Sequence, residues 1–156
     1  MVDGTTLMSP SGAMKDGVHY FPLRVYYEDT DAQGIVYHAN YLRYAERART
    51  EFLRLIGVPH QELVANHDAG FSVRKLIMDF ITPARIDDAL VVTTVLQSAR
   101  GAIMALRQSI HRADAAVSAS PALASIDLTL ACLNHQGRPT RLPRVLLDAL
   151  DHSNAR

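Results

Sequence analysis

Between Tyr20 and Tyr44 the sequence concentrates its polar chemistry. All six tyrosines of the chain fall in that window, together with Asp29, Asp31, His38 and Asn40. A carboxylate in a loop that feeds a helix N-terminus sits beside backbone N–H groups with no intrahelical partner, at the positive end of the helix dipole. Such a junction supplies a base together with a clamp for an oxyanion or a polarised carbonyl. Asp29 and Asp31 also have a plainer use, because aspartate is favoured in turns and caps for its hydrogen bonds to nearby backbone. One of the two is assigned to that use alone. The run Asp29-Thr30-Asp31-Ala32-Gln33-Gly34 opens like a calcium loop, but Gln33 stands where Asp or Asn belongs, Asn40 stands where the bidentate Glu belongs, and a strand precedes it. His38 has no second histidine three to five residues away to make a zinc pair. No metal is expected.

The elements that must hold these residues follow from periodicity. Tyr20 to Tyr27 reads YFPLRVYY, aromatic and β-branched, and the acidic turn formers after it end a first strand. Tyr41, Ala45, Ala48, Phe52 and Leu55 recur at spacings of four and three, which predicts a helix over 41–56, closed by Gly57 and Pro59. After a short helical turn near Gln61 to Ala65 the period changes. FSVRKLIMDFI, ALVVTTVLQSA, AIMALRQSIHR and LASIDLTLACLN read as four strands separated by turn signals at Pro83 to Asp88, Arg100-Gly101 and Ala113 to Pro121. Short connections predict an antiparallel meander. PRVLLDAL from Pro143 suggests a short terminal helix. The order gives an α+β fold of about five strands with one long helix on one face of the sheet. Residues 1–18 are read as a flexible tail, 19–150 as one domain and 151–156 as a flexible end.

With 156 residues, 48% of them hydrophobic, the chain suits one compact domain. Sixteen basic residues balance sixteen acidic ones, so no global field draws it to nucleic acid, and any basic site is local. Nowhere do about 18 apolar residues run together, as a membrane span needs. A single cysteine, Cys132, excludes an intramolecular disulfide and fits a cytoplasmic home. Cys132 itself reads as a core residue, because His135 is an odd number of positions away and points to the other face of a strand. One helix covers one sheet face only, and the exposed edges predict at least a dimer.

Arg24-Val25-Tyr26-Tyr27-Glu28-Asp29-Thr30-Asp31, Gly34-Ile35-Val36-Tyr37-His38-Ala39-Asn40-Tyr41 and Glu46-Arg47-Ala48-Arg49-Thr50-Glu51 closely resemble the hotdog-fold acyl-CoA thioesterases of the 4-hydroxybenzoyl-CoA thioesterase family. More narrowly they resemble the bacterial subgroup associated with the Tol-Pal system. The likeness continues through Phe71 to Lys75, Pro83 to Asp88 and Arg100-Gly101, over about residues 20–145. It implies a hotdog fold, with an antiparallel sheet wrapped around a long central helix. It further implies sheets paired between subunits in a dimer or tetramer, and active sites at the subunit interface. The resemblance assigns the catalytic carboxylate to Asp31, the second Asp of D-x-D-x-x-G, as nucleophile or as general base for water. It assigns the carbonyl-polarising N–H to the helix start around His38, with side chains of His38 and Tyr27 contributing. Asn40 and Tyr41 join the substrate site.

Thioester hydrolysis needs an oriented carboxylate and an oxyanion donor rather than a full triad or a metal, and coenzyme A enters as part of the substrate, so no separate cofactor is expected. Its phosphates call for basic side chains, and the resemblance implies Arg100 with Gly101, at the strand turn where relatives place phosphate-binding arginines, with Arg74 and Lys75 as second choices. A non-catalytic acyl-CoA-binding module is the competing reading, and a hotdog dehydratase a third. Asp31 and His38 together favour hydrolysis.

Overall fold

The computed structural model describes residues 9–113 and 121–156. The strands are β1 (Ala13–Lys15), β2 (Val18–Arg24), β3 (Gly70–Phe80), β4 (Ala89–Arg100), β5 (Ile103–Arg112) and β6 (Ala124–Leu133). The helices are α1 (His38–Leu55), α2 (His60–His67) and α3 (Arg144–Asn154). All the strand pairs are antiparallel, in the order β1-β2-β4-β5-β6-β3. The sheet therefore has six strands rather than about five. Only β4-β5-β6 is a meander: β3 crosses over to pair with β6, because α1 and α2 intervene between β2 and β3 and the chain re-enters at the far edge.

The expected tail is partly structured. Ala13 to Lys15 pair with Val18 to Tyr20, and Ser11 is buried with its hydroxyl donating to Glu51 at 2.7 Å. Gly12 is indispensable there, since its φ is +79° and a Cβ would come 2.1 Å from the Tyr20 carbonyl oxygen. At the other end α3 runs through Asn154 with Ser153 buried, so 151–156 is not a free end. The hairpin connection expected at Ala113 to Ala124 lies largely outside the described residues.

Along α1, Tyr41, Ala45, Ala48 and Phe52 are buried, as their spacing requires, and Gly57 takes φ +88° just past the helix end. Ala45, Phe52 and Leu53 pack with Met104, Leu106, Ile126, Leu128 and Leu130 of the sheet and with Leu146 and Leu150 of α3. A buried polar link fixes the helix along its axis. Gln108 of β5, fully buried, donates to the Ala45 carbonyl at 2.9 Å and to Thr94 Oγ1 at 3.0 Å, and accepts from Arg49 at 2.8 Å. Such a link stabilises only because every partner is met.

In β3 the register slips between Val73 and Lys75, leaving Arg74 unpaired in a bulge. Before the bulge Phe71 and Val73 face the helix; after it Leu76, Met78 and Phe80 do. The one-residue shift is what turns Phe80 inward.

His19 on β2 is fully buried against Phe52, with Nε2 2.7 Å from the Ser11 carbonyl. Burial holds its pKa below the ordinary value, against the raising effects of Ser11 and Glu51, and burial beside Arg49 does the same to His60. In the unfolded chain both titrate near about 6.5. Above that pH both states are neutral and the contribution is intact; below it the unfolded chain takes up protons first, so stability falls until the lower folded values are reached. Melting temperature is expected to drop between pH 7 and 5, and to drop less in His19→Gln. Equal slopes would show that His19 is not the coupled group.

Candidate active site

The loop from Val25 to Tyr37 bends back on itself before α1. A 3-10 turn spans Tyr27–Asp29, and the Asp29 carboxylate accepts the Tyr26 N–H at 2.8 Å. The Asp29 carbonyl oxygen accepts both the Tyr37 N–H at 2.9 Å and Asn40 Nδ2 at 2.8 Å, which clamps the turn to the start of the helix. Asp29 is thus the turn residue of the pair, and a buried one. Two residues on, Asp31 stays exposed and accepts the Gln33 N–H on Oδ1 at 2.8 Å, while its own carbonyl takes Gly34 N–H at 3.0 Å, with Gly34 at φ +75°. This short turn orients the carboxylate through one of its oxygens.

Asp31 lines a cleft of about 320 Å³ with Ile35, Val36, His38, Tyr41 and the segment from Phe80 to Pro83. His38 is the first residue of α1, so the amides of His38 and Ala39 have no intrahelical acceptors and bring the positive end of the helix to the same cleft. The His38 ring packs on Tyr37 at 4.4 Å and edge-on to Phe80 at 6.4 Å, and Tyr41 meets Phe80 at 5.6 Å. The wall is apolar and aromatic, which lowers the local dielectric and strengthens any charge interaction made there. Among the described residues no cluster of His, Cys, Asp and Glu fit to hold a metal occurs.

Asp31, His38 and Tyr41 come together as expected, whereas the other expected site residues do not join them within one chain. Asn40 is buried and spends its amide on Asp29, so it holds the loop instead of facing substrate. Tyr41 offers a ring edge only: its hydroxyl accepts the Ala84 N–H at 3.0 Å, and burial keeps the phenol above its usual pKa. The Tyr27 ring is 83% exposed and does not line the cleft. Lys75 lies on the outer sheet face beside Gln97 and Asp127, and Arg74 is exposed in the bulge. Arg100 and Gly101 cap the opposite end of β4 from Ala89, a separation on the order of 35 Å at the usual strand rise. Phe80, Ile81 and Thr82 are site residues that sequence reasoning missed; the bulge that aims Phe80 has no local signal, although the Thr82-Pro83 break marked the strand end. Cys132 is fully buried, its thiol pushed up by burial, and His135 is taken by Asp68 at 2.9 Å, so no cysteine nucleophile forms.

A six-stranded antiparallel sheet seating one long helix, with a carboxylate and the helix N-terminus sharing a cleft, is a hotdog thioesterase architecture. The family described as the thioesterase-like superfamily matches residues 25–150, and the chain belongs to it. The acyl-CoA thioesterase YbgC of Haemophilus influenzae is 38% identical over 140 residues, covering 89% of this chain and 98% of that protein. The acyl-CoA thioester hydrolase YbgC of Escherichia coli O6:H1 is 48% identical over 94 residues, 60% of this chain and 69% of that protein. Among solved structures, a probable thioesterase from Bartonella henselae superposes with a TM-score of 0.74 at 36% identity, over 81% of this chain and 99% of that one. A 4-hydroxybenzoyl-CoA thioesterase mutant complexed with 4-hydroxybenzoyl-CoA shares the fold, with a TM-score of 0.77 at 19% identity over 86% and 99% of the two chains.

Tyr41→Phe tests the role of its hydroxyl. Because the buried Ala84 amide loses its acceptor, the variant is expected to lose about 1–3 kcal/mol of stability in urea denaturation. Unchanged stability would return Tyr41 to the substrate.

Proposed function

We propose that the chain hydrolyses acyl-CoA thioesters to a free acid and coenzyme A, with Asp31 as the acting carboxylate and the first amides of α1 as the oxyanion clamp. The observation that carries this is the shared cleft: Asp31 is oriented by Gln33 on one oxygen, leaving the other for chemistry, and His38 opens the helix beside it. The names of the curated relatives support the substrate class. A thioester carbonyl is electrophilic and a thiolate leaves readily. Asp31 either attacks that carbonyl or takes a proton from the attacking water, and the helix amides bind the oxygen as it gains charge. We take the chain to work alongside the Tol-Pal-associated thioesterases that it resembles, in a cytoplasmic setting.

We further propose that the working unit is at least a dimer. β1 closes one edge of the sheet with only three residues, but β3 closes the other with eleven, and Val73, Phe80 and Ile81 on or just beyond it stay about half exposed. A long apolar edge is a template for another strand. Antiparallel pairing with a second copy covers these side chains and lays the Gly70 half of one β3 beside the Phe80 half of the other. Arg74 of one copy then approaches the cleft of its neighbour, and Arg100 and Gly101, at the Gly70 end of the sheet, serve a neighbour's cleft in the same way, with Lys75 the weaker candidate because it faces outward; Tyr27 stays at the end of the sheet that holds its own cleft. Coenzyme A phosphates are matched by such arginines.

Asp31→Asn keeps the shape and removes the charge. It is expected to lower kcat for acyl-CoA by on the order of 10² or more in folded, oligomeric protein, while Asp29→Asn loses far less. Retention of more than about a tenth of wild-type kcat in Asp31→Asn would rule out its role as base or nucleophile. Val73→Asp, at the free edge, should give monomers in sedimentation velocity with activity lost in parallel. A fully active monomer would refute the shared site.

A further inference from the structure

The turn from Pro83 to Asp88 joins β3 to β4 and gives Pro83 to the cleft, yet its charged residues have no part in the chemistry described above. Its backbone is the support against which the Asp31 turn is built. Arg85 pairs antiparallel with Ile35, and the Ala84 carbonyl accepts the Val36 N–H at 2.9 Å. The Ile35 carbonyl in turn accepts the Asp31 N–H at 2.9 Å. On the helix side the Ala84 N–H donates to the Tyr41 hydroxyl of α1 at 3.0 Å. The acting carboxylate and the helix are therefore joined through residues 83–85 as well as through Asp29.

An ion pair holds that segment from behind. Arg112, the last residue of β5, donates through Nη1 to the Asp88 carboxylate and through Nη2 to the Pro83 carbonyl at 3.3 Å. The same Asp88 oxygen accepts the Arg85 N–H at 2.8 Å. One guanidinium thus grips both ends of the turn. The two side chains are only 34% and 22% exposed, so their charge-assisted bonds are less screened than those of an open surface pair. Between the grips Asp87 takes φ +68°, a left-handed conformation that a residue with a Cβ keeps when its surroundings impose it. Loss of Arg112 lets the turn relax and carries residues 83–85, and with them Ile35 and Asp31, away from the helix start. Displacements of about 1 Å between reacting groups cost on the order of 10² in rate.

We infer that Arg112, through Asp88 and the Pro83 carbonyl, is a positioning residue for hydrolysis, bracing residues 83–85 so that Asp31 and the first amides of α1 meet across the cleft. The inference rests on the acyl-CoA reading for its catalytic half only. Arg112 does not line the cleft, and it acts through the turn.

The test is Arg112→Met, Arg112→Lys and Asp88→Asn in the full chain, each measured for acyl-CoA kinetics and for amide exchange at Asp31, Val36 and Ala84. Arg107→Met is the control, because it cuts an exposed pair with Asp127 on the outer sheet face. Arg112→Met is expected to exchange those three amides several-fold faster and to lose about tenfold in kcat with KM within about twofold. Arg112→Lys, which keeps the charge without the planar fork, should fall between Arg112→Met and the wild type. Asp88→Asn keeps an acceptor for Arg85 but not the charge facing Arg112, and should lose about three- to fivefold in kcat. Arg107→Met should match the wild type in both readouts. Unchanged exchange in Arg112→Met overturns the brace, and so does equally faster exchange in Arg107→Met. Unchanged kcat, with an active wild type, overturns its part in catalysis, and a rise in KM alone does the same by putting Arg112 on the substrate. If Arg112→Met fails to fold, Arg112→Lys and Asp88→Asn decide by the same criteria. Should the wild type hydrolyse no acyl-CoA, the functional reading falls, and the exchange rates alone decide whether Arg112 holds the turn.

Discussion

The site depends on where α1 begins. One carbonyl oxygen, that of Asp29, accepts from the N-cap residue Tyr37 and from Asn40 in the first turn, so the loop and the helix share a single anchor. The helix cannot slide to relieve strain at that anchor, because eight residues after Tyr37 the Ala45 carbonyl is held by Gln108 from β5, and Arg49 is held by the same side chain. Two buried polar fixings, one at the helix start and one in its middle, set its position along the sheet. Apolar packing alone would leave that position soft, since hydrophobic burial is non-directional. The direction of the first helical amides follows from these hydrogen bonds.

The same economy explains the division of labour between two aspartates separated by one residue. Asp29 is buried, one of its carboxylate oxygens holds the Tyr26 N–H and its main-chain carbonyl holds Tyr37 and Asn40, so it serves as a brace. Asp31 is exposed on the cleft, and its one orienting bond from Gln33 leaves capacity for a reacting partner. Chemistry at a thioester suits this arrangement. The leaving thiolate needs little help, and the demand falls on placing a carboxylate and an amide on opposite sides of one carbonyl carbon.

Much of this was legible in the residues. The 3.6 period fixed α1 to within a few residues, the four long strands lie within one or two residues of their expected bounds, and the density of polar side chains from Tyr26 to Asn40 marked the junction that carries the cleft. Non-local pairing was not legible. Nothing in FSVRKLIMDFI says that β3 joins β6 and leaves β4 to pair with β2, and the bulge at Arg74 that turns Phe80 inward depends on a partner strand far along the chain, Val73 facing Leu130 and Lys75 facing Thr129. The early segment was misjudged for a related reason. Ser9 to Lys15 has the composition of a tail, yet it is held through a tertiary contact, the Ser11 hydroxyl donating to Glu51 of α1, that no local window contains. Asn40 was expected at the substrate because a polar residue beside a candidate catalytic one looks like a ligand until its buried partner, here the Asp29 carbonyl, is known.

The free edge of the sheet gives these errors a common meaning. The bulge in β3 brings Phe80 against His38 and Tyr41, but among the described residues β3 is also an edge strand, so the wall of the cleft is built at an edge of the sheet. A wall of half-exposed apolar residues is a poor pre-organiser, since such edges open at low free-energy cost. A second strand along β3 would both bury the wall and carry arginines toward it. The cleft thus lies at the sheet edge, beside the helix start instead of over the sheet centre, where one chain brings Asp31 and the first amides of α1 together but leaves Arg74, Lys75 and Arg100 outside.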